Sequence, residues 1–510
     1  MTPVLTVTIA SHFFLVTKIN VRSRPSVMAF AKSMVQMGFI RKSRQCFYAP
    51  VKTFAASTRS RTEFRFHINC LAKFKLQLAK DYITEEMVEY IYLPVPIPEK
   101  TNLKIYDHWK LRDYQLPAVE YIVSDDPPIA KLVSMATGRG KGLISMWGSW
   151  LIGHRIVVIV RPMYIEKWVK ELREVFTIGI EEPLVIQGGA QLMALLEMGV
   201  NGTIKNDIII ISNKTLQNWI KAYEEFESAT LDLGYSCYPD QLFEVLGAGI
   251  RLVDEVHQDY HFQFKLDCYT NVRRSISLSA TLLSDDDFIN NMYEVAYPGA
   301  LRFRGEADTP HVTSIAVFYK FRKPELIRYK DNISKMYNHH LLENSVMKYK
   351  DIQNNYFDLV VTCIEGTYIK KYKPGHKCLV FCISIKMCTL LREYLAKRYP
   401  KLKVNRYVED DEFSELLEGD ITISTMQSSG TAVDIPNLTT VIMTTAMSSS
   451  QSNVQGYGRL RALKNDDTPT EFVYFVCESI KKHTDYHEKK RNILKTKEKA
   501  HKNIYIGKHI

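Results

Sequence analysis

The residues best suited to chemistry form one glycine-rich stretch, which reads Met-Ala-Thr-Gly-Arg-Gly-Lys-Gly over 135–142. It follows an apolar run at 129–135 and precedes a helix-like segment at 143–152. Glycines let the backbone wrap an anion closely, and the N–H groups at a helix start favour negative charge, to which Lys141 adds a mobile positive charge. The stretch therefore predicts a phosphate-binding loop, with an ordinary glycine turn as the alternative.

Two further strand ends carry polar side chains. The run Leu-Val-Asp-Glu-Val-His at 252–257 places Asp254 and Glu255 at the end of an apolar strand. A nucleotide-hydrolysing site needs one acid to hold Mg²⁺ and a second to orient the attacking water, and these acids suit those two roles. The run Leu-Ser-Ala-Thr at 278–281 ends another strand candidate in the same way. An isolated acid pair is also common on surfaces, so its interpretation depends on the other motifs in the chain and on their order.

The elements that must position these residues alternate between strands and helices from about residue 100. Near-continuous apolar strands separated by helices predict parallel sheets that are covered on both faces, with ligands at the carboxyl ends of the strands. The pattern therefore predicts two tandem α/β domains. The strand candidates lie at 129–135, 156–160, 207–212, 249–253 and 275–279 in the first domain, and at 377–383, 403–407, 421–425, 439–443 and 472–476 in the second.

The first 98 residues predict a small mixed domain that ends in a stiff proline-rich linker, Leu-Pro-Val-Pro-Ile-Pro at 93–98. Its strand candidates are 4–17, 46–54 and 63–69, and its helix candidates are 26–37 and 85–92.

This N-terminal region is strongly basic. Residues 1–80 carry fourteen Lys and Arg against one acid, a charge of +13, which favours a polyanion such as nucleic acid as the partner. The basic residues Arg41, Lys42 and Arg44 lie in a stretch that also contains aromatic residues, as in surfaces that hold phosphates and stack bases. The aromatic residues are Phe47, Tyr48 and Phe54. The alternatives are that the charge aids solubility and that the aromatic side chains belong to the core.

The composition of the whole chain is typical of a soluble globular protein, with 46% hydrophobic and 24% charged residues. No apolar run is long enough to span a bilayer, so we expect no membrane partner and a cytoplasmic location, which is the host cytoplasm if a bacteriophage encodes the chain. The tail at 478–510 carries ten basic and four acidic residues and predicts a solvated basic helix containing His483 and His487. Three closely spaced cysteines are interpreted as buried free thiols rather than metal ligands: Cys378, Cys382 and Cys388.

Taken in order, these motifs resemble those of superfamily 2 helicases of the DEXH-box type, over about residues 105–475. The motifs are Tyr114-Gln115, the glycine loop ending at Lys141, Asp-Glu-Val-His at 254–257, Leu-Ser-Ala-Thr at 278–281 and Gln-Gly-Tyr-Gly-Arg at 455–459. The arrangement of a small basic N-terminal domain, two helicase domains and a basic tail resembles the bacteriophage UvsW-type recombination helicases. The resemblance implies two RecA-like domains and an ATP- and Mg²⁺-dependent motor.

The resemblance also implies a role for each matching residue. The residues implied to bind ATP are Tyr114, Gln115, Thr137, Gly138, Arg139, Gly140, Lys141, Gly142 and Asp434. Catalysis falls to Lys141, Asp254 (the Mg²⁺ ligand), Glu255, Gln455 and the arginine finger Arg459, and coupling to His257, Ser279 and Thr281. Contact with nucleic acid falls to Arg161, Pro162, Asn213, Lys214 and Thr425.

Three positions depart from the family pattern. Gly142 stands where a Ser or Thr usually holds Mg²⁺, which leaves Thr137 and Ser145 as candidate hydroxyls. The second arginine of the last motif is replaced by Ala462, with Arg461 one residue early, and Ala432 stands where a glycine is frequent.

We therefore expect an α/β protein with a nucleic-acid-binding domain and linker at 1–98, RecA-like domains at 99–310 and 311–477, and a basic helical tail at 478–510. The expected function is that of an ATP-dependent DNA helicase or translocase that acts, as a monomer, on branched DNA in recombination, repair or replication. The alternatives are an RNA helicase and a nucleic-acid annealing or clamp protein whose ATPase is degenerate, the latter motivated by Gly142 and the displaced arginine.

Overall fold

The computed structural model describes residues 2–42, 45–136, 138–280, 282–305, 310–332, 335–409, 411–429, 435–463, 466–507 and 509–510. The chain divides into two compact units. Apart from two three-residue segments, the first ends at Glu306 and the second comprises Ala307–Ile510.

The N-terminal domain is a mixed five-stranded sheet with two helices and a separate two-stranded hairpin. Its elements are β1 Leu5–Ile9, β2 Phe13–Thr17, α1 Arg24–Ser33, β3 Val35–Lys42, β4 Gln45–Thr53, β5 Ala56–Ser57, β6 Phe64–His67, α2 Leu71–Lys80 and β7 Val88–Tyr92. The order in the sheet is β5-β6-β2-β1-β7, and β3 pairs only with β4. Four phenylalanine rings pack between the sheet and the helices: Phe14, Phe30, Phe66 and Phe74.

Two helix predictions in this domain are wrong in part. The segment 85–92 forms a strand, β7, which pairs in parallel with β1 after a single 3₁₀ turn. The predicted helix at 26–37 ends at Ser33, and Val35 begins β3. Both segments contain β-branched or aromatic residues that a paired strand accommodates, and cross-strand partners decide the conformation of such residues.

The N-terminal domain and the first α/β domain belong to the same compact unit. Arg65 lies 3.0 Å from the Asp240 carboxylate, and the Phe54 ring centroid lies 5.1 Å from that of Phe264. These contacts pack a basic domain against the domain that carries the glycine loop.

The first α/β domain has an all-parallel seven-stranded sheet in the order β10-β11-β9-β12-β13-β8-β14. Strand β9 is buried along its whole length, as a sheet covered on both faces requires. The elements are α3 Leu116–Val123, β8 Ala130–Ser134, α4 Lys141–Ile152, β9 Ile156–Val160, α5 Ile165–Val175, β10 Leu184–Ile186, α6 Gly189–Val200, β11 Ile208–Ser212, α7 Asn213–Phe226, α8 Leu242–Val245, β12 Ile250–Val253, α9 Tyr260–Asp267, β13 Arg274–Ser279, α10 Asp287–Ala296 and β14 Phe303–Arg304.

The second α/β domain repeats this plan with the order β17-β18-β16-β19-β20-β15-β21, again all parallel. Its elements are β15 Val312–Tyr319, α11 His339–Lys348, α12 Lys350–Thr367, β16 Lys377–Cys382, α13 Ile385–Arg398, β17 Val404–Tyr407, α14 Phe413–Glu418, β18 Ile421–Thr425, α15 Met426–Ser429, β19 Leu438–Met443, α16 Ser450–Tyr457, β20 Thr470–Cys477, α17 Lys481–Leu494 and β21 Ala500–Tyr505. The predicted fold class, two tandem RecA-like α/β domains with parallel sheets, is confirmed.

The thiols of Cys378, Cys382 and Cys388 are buried and free, as predicted. Among the described residues, no group of three or more His, Cys, Asp or Glu side chains is arranged to hold a metal ion. None of the helices in the described part of the chain is both long and apolar enough to cross a membrane.

The C-terminal tail differs from the solvated basic helix that the sequence predicts. Helix α17 buries His483, His487 and Lys490, and β21 then pairs in parallel with β15 as the last strand of the second sheet. The Lys490 ammonium lies 4.2 Å from the Tyr474 ring centroid and 3.5 Å from Met443 Sδ. The aliphatic stem of a lysine can pack in a core, which a count of charges does not reveal.

Burial lowers the pKa of Lys490 from 10.5 to about 7. Between these values the unfolded chain binds more protons than the folded chain, so the contribution of Lys490 to stability rises as the pH rises. We expect Lys490→Met to flatten the rise in urea unfolding midpoint between about pH 7 and about pH 10. The exposed Lys482→Met variant on the same helix is the control, and a similar slope in both variants would contradict the prediction.

Candidate nucleotide-binding site

The glycine loop follows the carboxyl end of β8 and leads directly into α4. Gly140 has a φ of +75°, a backbone conformation that favours glycine. A Cβ at this position would lie 2.5 Å from Gln115 Nε2 and would displace the Gln115 amide. Lys141 is the first residue of α4, and its Nζ donates to the Met135 carbonyl at 3.1 Å. The loop therefore presents a helix N-terminus and a lysine at the same place, as the sequence predicts.

The segment predicted to read adenine contacts this loop. Gln115 is buried, its Oε1 accepts from the Arg112 N–H at 2.9 Å, and its Nε2 donates to the Arg139 carbonyl at 3.0 Å. The Arg139 guanidinium lies over the Tyr114 ring at 4.8 Å. The Gln115 amide thus braces the loop in this conformation, while adenine recognition by it stays a prediction.

The two acids lie at the carboxyl end of β12. Trp168 Nε1 donates to Asp254 Oδ2 at 3.2 Å, and the Lys167 ammonium lies 3.8 Å from the same oxygen. The next residue, Glu255, is buried and has a φ of +47°, a left-handed conformation that is costly for a non-glycine residue. The indole and the ammonium hold the Asp254 carboxylate, and the unusual backbone directs Glu255 differently from its neighbour.

His257 links the acid strand to the Ser-Ala-Thr strand. Its Nδ1 lies 2.8 Å from Ser279 Oγ and 3.3 Å from Glu255 Oε2. Burial, helped by the positive charges of Lys141 and Arg161, lowers the pKa of His257 to about 3, so the ring is neutral near pH 7. The imidazole can therefore relay a hydrogen bond between the two strands without carrying a charge.

Asp259 brings together two residues that were predicted to contact nucleic acid. Arg161 donates to it from Nε at 2.6 Å and from a second nitrogen at 2.8 Å, and Asn213 Nδ2 donates at 2.6 Å. Arg161 follows β9 and Asn213 follows β11, so the parallel sheet places both beside Asp259. The network ends two residues from His257, which connects the predicted nucleic-acid segments to the nucleotide motifs.

The other predicted nucleic-acid residues do not contribute to the Asp259 hydrogen bonds described above. Lys214 is exposed at the start of α7, and Pro162 lines an open depression of about 800 Å³ beside α5. In the second unit, Thr425 Oγ1 lies 2.9 Å from Ser428 Oγ at the end of β18.

Two residues that were predicted to be catalytic also lie in the second unit. Gln455 lies on α16, and Arg459 is buried just beyond the end of that helix.

Several predicted site residues are outside what the structure describes. These are Arg44, Thr137, Thr281 and Asp434, together with Ala432 among the family departures, and only the backbone is described for Arg41 and Lys42. Of the two candidate hydroxyls, Ser145 is buried and donates to the Gly142 carbonyl at 2.8 Å. The Ser145 hydroxyl proton is thus used in a hydrogen bond within the first turn of α4.

Three residues beside the site were missed by sequence reasoning: Asp259, Lys167 and Glu171. Burial opposes the charge on Lys167, but the carboxylates of Asp254 and Glu171 outweigh it and raise the lysine pKa. Burial raises the pKa of Glu171, with the Asp254 charge acting in the same direction and Lys167 against it. The available signal was helical spacing, because Lys167 and Glu171 are four residues apart on α5 and share one face.

The donor set at the loop fits a hard divalent cation. Mg²⁺ is usually held by one or two carboxylates together with substrate phosphates, and Asp254 supplies one carboxylate beside the loop that would hold those phosphates. Gly142 supplies no side-chain donor, and a Cβ at its position would lie 3.0 Å from Glu171 Oε2. Asp254 is therefore the residue that would hold the ion, as the family resemblance implies.

The fold and site together define the class, a tandem RecA-like α/β protein with a glycine-rich loop between β8 and α4. No protein-family model and no curated protein sequence matches the chain at a significant level.

Two solved structures of S. cerevisiae Dbp5 bound to RNA and ADP BeF3 are similar to the chain. A single-site Dbp5 variant has a TM-score of 0.48 and 12% identity, and the other structure has a TM-score of 0.46 and 10% identity. Each match covers 77% of this chain and 89% of the Dbp5 chain. Because these TM-scores and sequence identities are low, the fold assignment rests on the strand order of the two sheets and not on the similarity to Dbp5.

The brace formed by Gln115 yields a testable expectation for nucleotide binding. Gln115→Ala removes two hydrogen bonds that hold the loop, and we expect it to weaken ATP affinity by roughly tenfold, the equivalent of about one net hydrogen bond. Titration with a fluorescent ATP analogue measures the effect. Gln77→Ala is the control, because it removes a half-buried glutamine of the N-terminal domain that donates to Asp81. Equal affinities in the two variants would show that the brace has no role.

Proposed function

We propose that the chain is an ATP-dependent superfamily 2 DNA helicase or translocase that acts on branched DNA. The observation that carries the proposal is the convergence of three motif segments at one edge of the first sheet. Lys141 follows β8, Asp254 and Glu255 follow β12, and Ser279 ends β13. Because β13 lies between β8 and β12, the carboxyl ends of three adjacent strands supply the groups that ATP hydrolysis requires.

Each residue then has a proposed task. Lys141 and the N–H groups at the start of α4 bind the β- and γ-phosphates, and Glu255 orients the attacking water. Mg²⁺, when bound, neutralises charge on the phosphates. His257 transmits the state of the site to Ser279. Arg459 and Gln455 keep the catalytic roles that the family resemblance implies.

Coupling to nucleic acid is proposed to run through Asp259. Arg161 and Asn213, which it holds, belong to the segments that contact the nucleic-acid backbone in the family that the chain resembles. A shift of His257 would reach Asp259 within two residues of the same chain segment. This short connection gives hydrolysis a physical route to the strand on which the motor moves.

The N-terminal hairpin is proposed as the element that engages DNA bases. Phe39 and Tyr48 are paired across β3 and β4 with ring centroids 5.2 Å apart, and their exposed fractions are 77% and 63%. Aromatic side chains in the core would be covered, so their exposure favours the stacking interpretation over the core interpretation. The charge of +13 over residues 1–80 is complementary to a phosphate backbone. Phe54, at the base of the hairpin, is in contrast fully buried.

The choice among DNA helicase, RNA helicase and inactive module is tested by ATP turnover with Lys141→Ala. We expect wild-type turnover to be stimulated most by DNA forks and Holliday junctions and to be lost in the variant, because the phosphates lose their cation. The exposed Lys170→Ala variant is the control. Equal or greater stimulation by structured RNA would favour the RNA helicase, and equal turnover in wild type and Lys141→Ala would favour an annealing or clamp protein.

The hairpin proposal is tested by Phe39→Ala and Tyr48→Ala. Each variant should weaken binding to forked DNA by about 1–3 kcal/mol per stacked base, while turnover without DNA stays at the wild-type level. Fluorescence anisotropy with labelled forks measures the affinity. Tyr92→Ala, an exposed aromatic of the same domain outside the hairpin, is the matched control, and an equal loss in all three variants would exclude base stacking by the hairpin.

A further inference from the structure

The structure gives a spatial reason for glycine at position 142. The backbone does not demand it, since Gly142 lies in the first turn of α4 and its φ is not left-handed. The surroundings favour it, because a Cβ at this position would lie 3.0 Å from Glu171 Oε2 and 3.7 Å from Met146 Cε, so that the Glu171 side chain would have to shift. A serine or threonine would extend a further atom from this Cβ into already crowded space. Gly142 therefore leaves room for the carboxylate of Glu171.

Glu171 is directed to this space from α5. Its Oε1 lies 3.7 Å from the Lys167 ammonium, while its Oε2 faces Gly142. The same ammonium lies 3.8 Å from Asp254 Oδ2. Two carboxylates, one after β12 and one on α5, therefore flank a single positive charge beside the phosphate-binding loop. The ammonium stands in for a cation between them.

We propose that Glu171 replaces the missing hydroxyl and acts with Asp254 as the second carboxylate for the divalent cation that accompanies the nucleotide. This inference rests on the proposed function, since it concerns the same ATP site. A pair of carboxylates with substrate phosphates is a usual ligand set for Mg²⁺, so the site needs no Ser or Thr after Lys141. The long stem of Lys167, which is about one-third exposed, lets its ammonium turn out to solvent when the ion enters.

The proposal predicts a reciprocal rescue between positions 142 and 171. Binding of a fluorescent ATP analogue is measured for the full chain in excess Mg²⁺ and in EDTA, and the ratio of the two affinities reports the contribution of the metal. Glu171→Ala should lower this ratio by about 10- to 100-fold, while affinity in EDTA changes little. Gly142→Ser alone should also lower it, because the new side chain collides with Glu171. The double variant should recover most of the ratio, because the serine hydroxyl then has space to act.

Control variants separate this inference from the proposed function. Glu174→Gln removes a neighbouring acid on α5 that pairs with Lys170, and it should leave the ratio unchanged. A ratio in Glu171→Ala equal to that in Glu174→Gln, or no recovery in the double variant, would overturn the role of Glu171. If Lys141→Ala and Asp254→Ala also bind the analogue as the wild type does, the nucleotide site itself is refuted. If those two variants lose binding while Glu171→Ala does not, only the present inference fails.

Discussion

Parallel strands that share a sheet end at the same edge, and the candidate site depends on this constraint. In the order β12-β13-β8, an acid pair, a serine and a glycine loop come from segments far apart in sequence, yet all three lie at neighbouring carboxyl ends. The Met135 N–H donates to the Ser279 carbonyl at 3.2 Å and so ties two of these ends together just beyond the strands. Without this adjacency, Lys141 and Asp254 would be separate polar residues with no shared chemistry.

The second feature is the way in which charged and polar side chains are paired at this edge of the sheet. His257 is buried and neutral, whereas Arg161 and Asn213 converge on the single carboxylate of Asp259. The Lys167 ammonium lies between the carboxylates of Asp254 and Glu171, and its positive charge offsets the repulsion between them. The polar groups are thus arranged in hydrogen-bonded or ion-paired sets, as groups partly removed from water usually are.

The N-terminal domain and the tail show how context overrides local pattern. The segment 85–92 has helix-compatible residues, yet parallel pairing with β1 makes Val88–Tyr92 a strand. The tail has the charge of a solvated helix, yet it buries Lys490 and contributes β21 to the second sheet. In both cases the partner strand comes from a distant part of the chain, so no local window of sequence contains the information that decides the outcome.

The sequence alone determined the two tandem α/β domains, because buried parallel strands must be apolar along their length, and it determined the positions of the glycine loop and the acid pair, because that chemistry is written in consecutive residues. Only the tertiary structure decided that Gln115 braces the loop, that Asp259 gathers Arg161 and Asn213, and that Glu171 faces Gly142. The physical reason is the same in each case. These contacts join side chains from different elements, and their distances depend on how helices pack on the sheet.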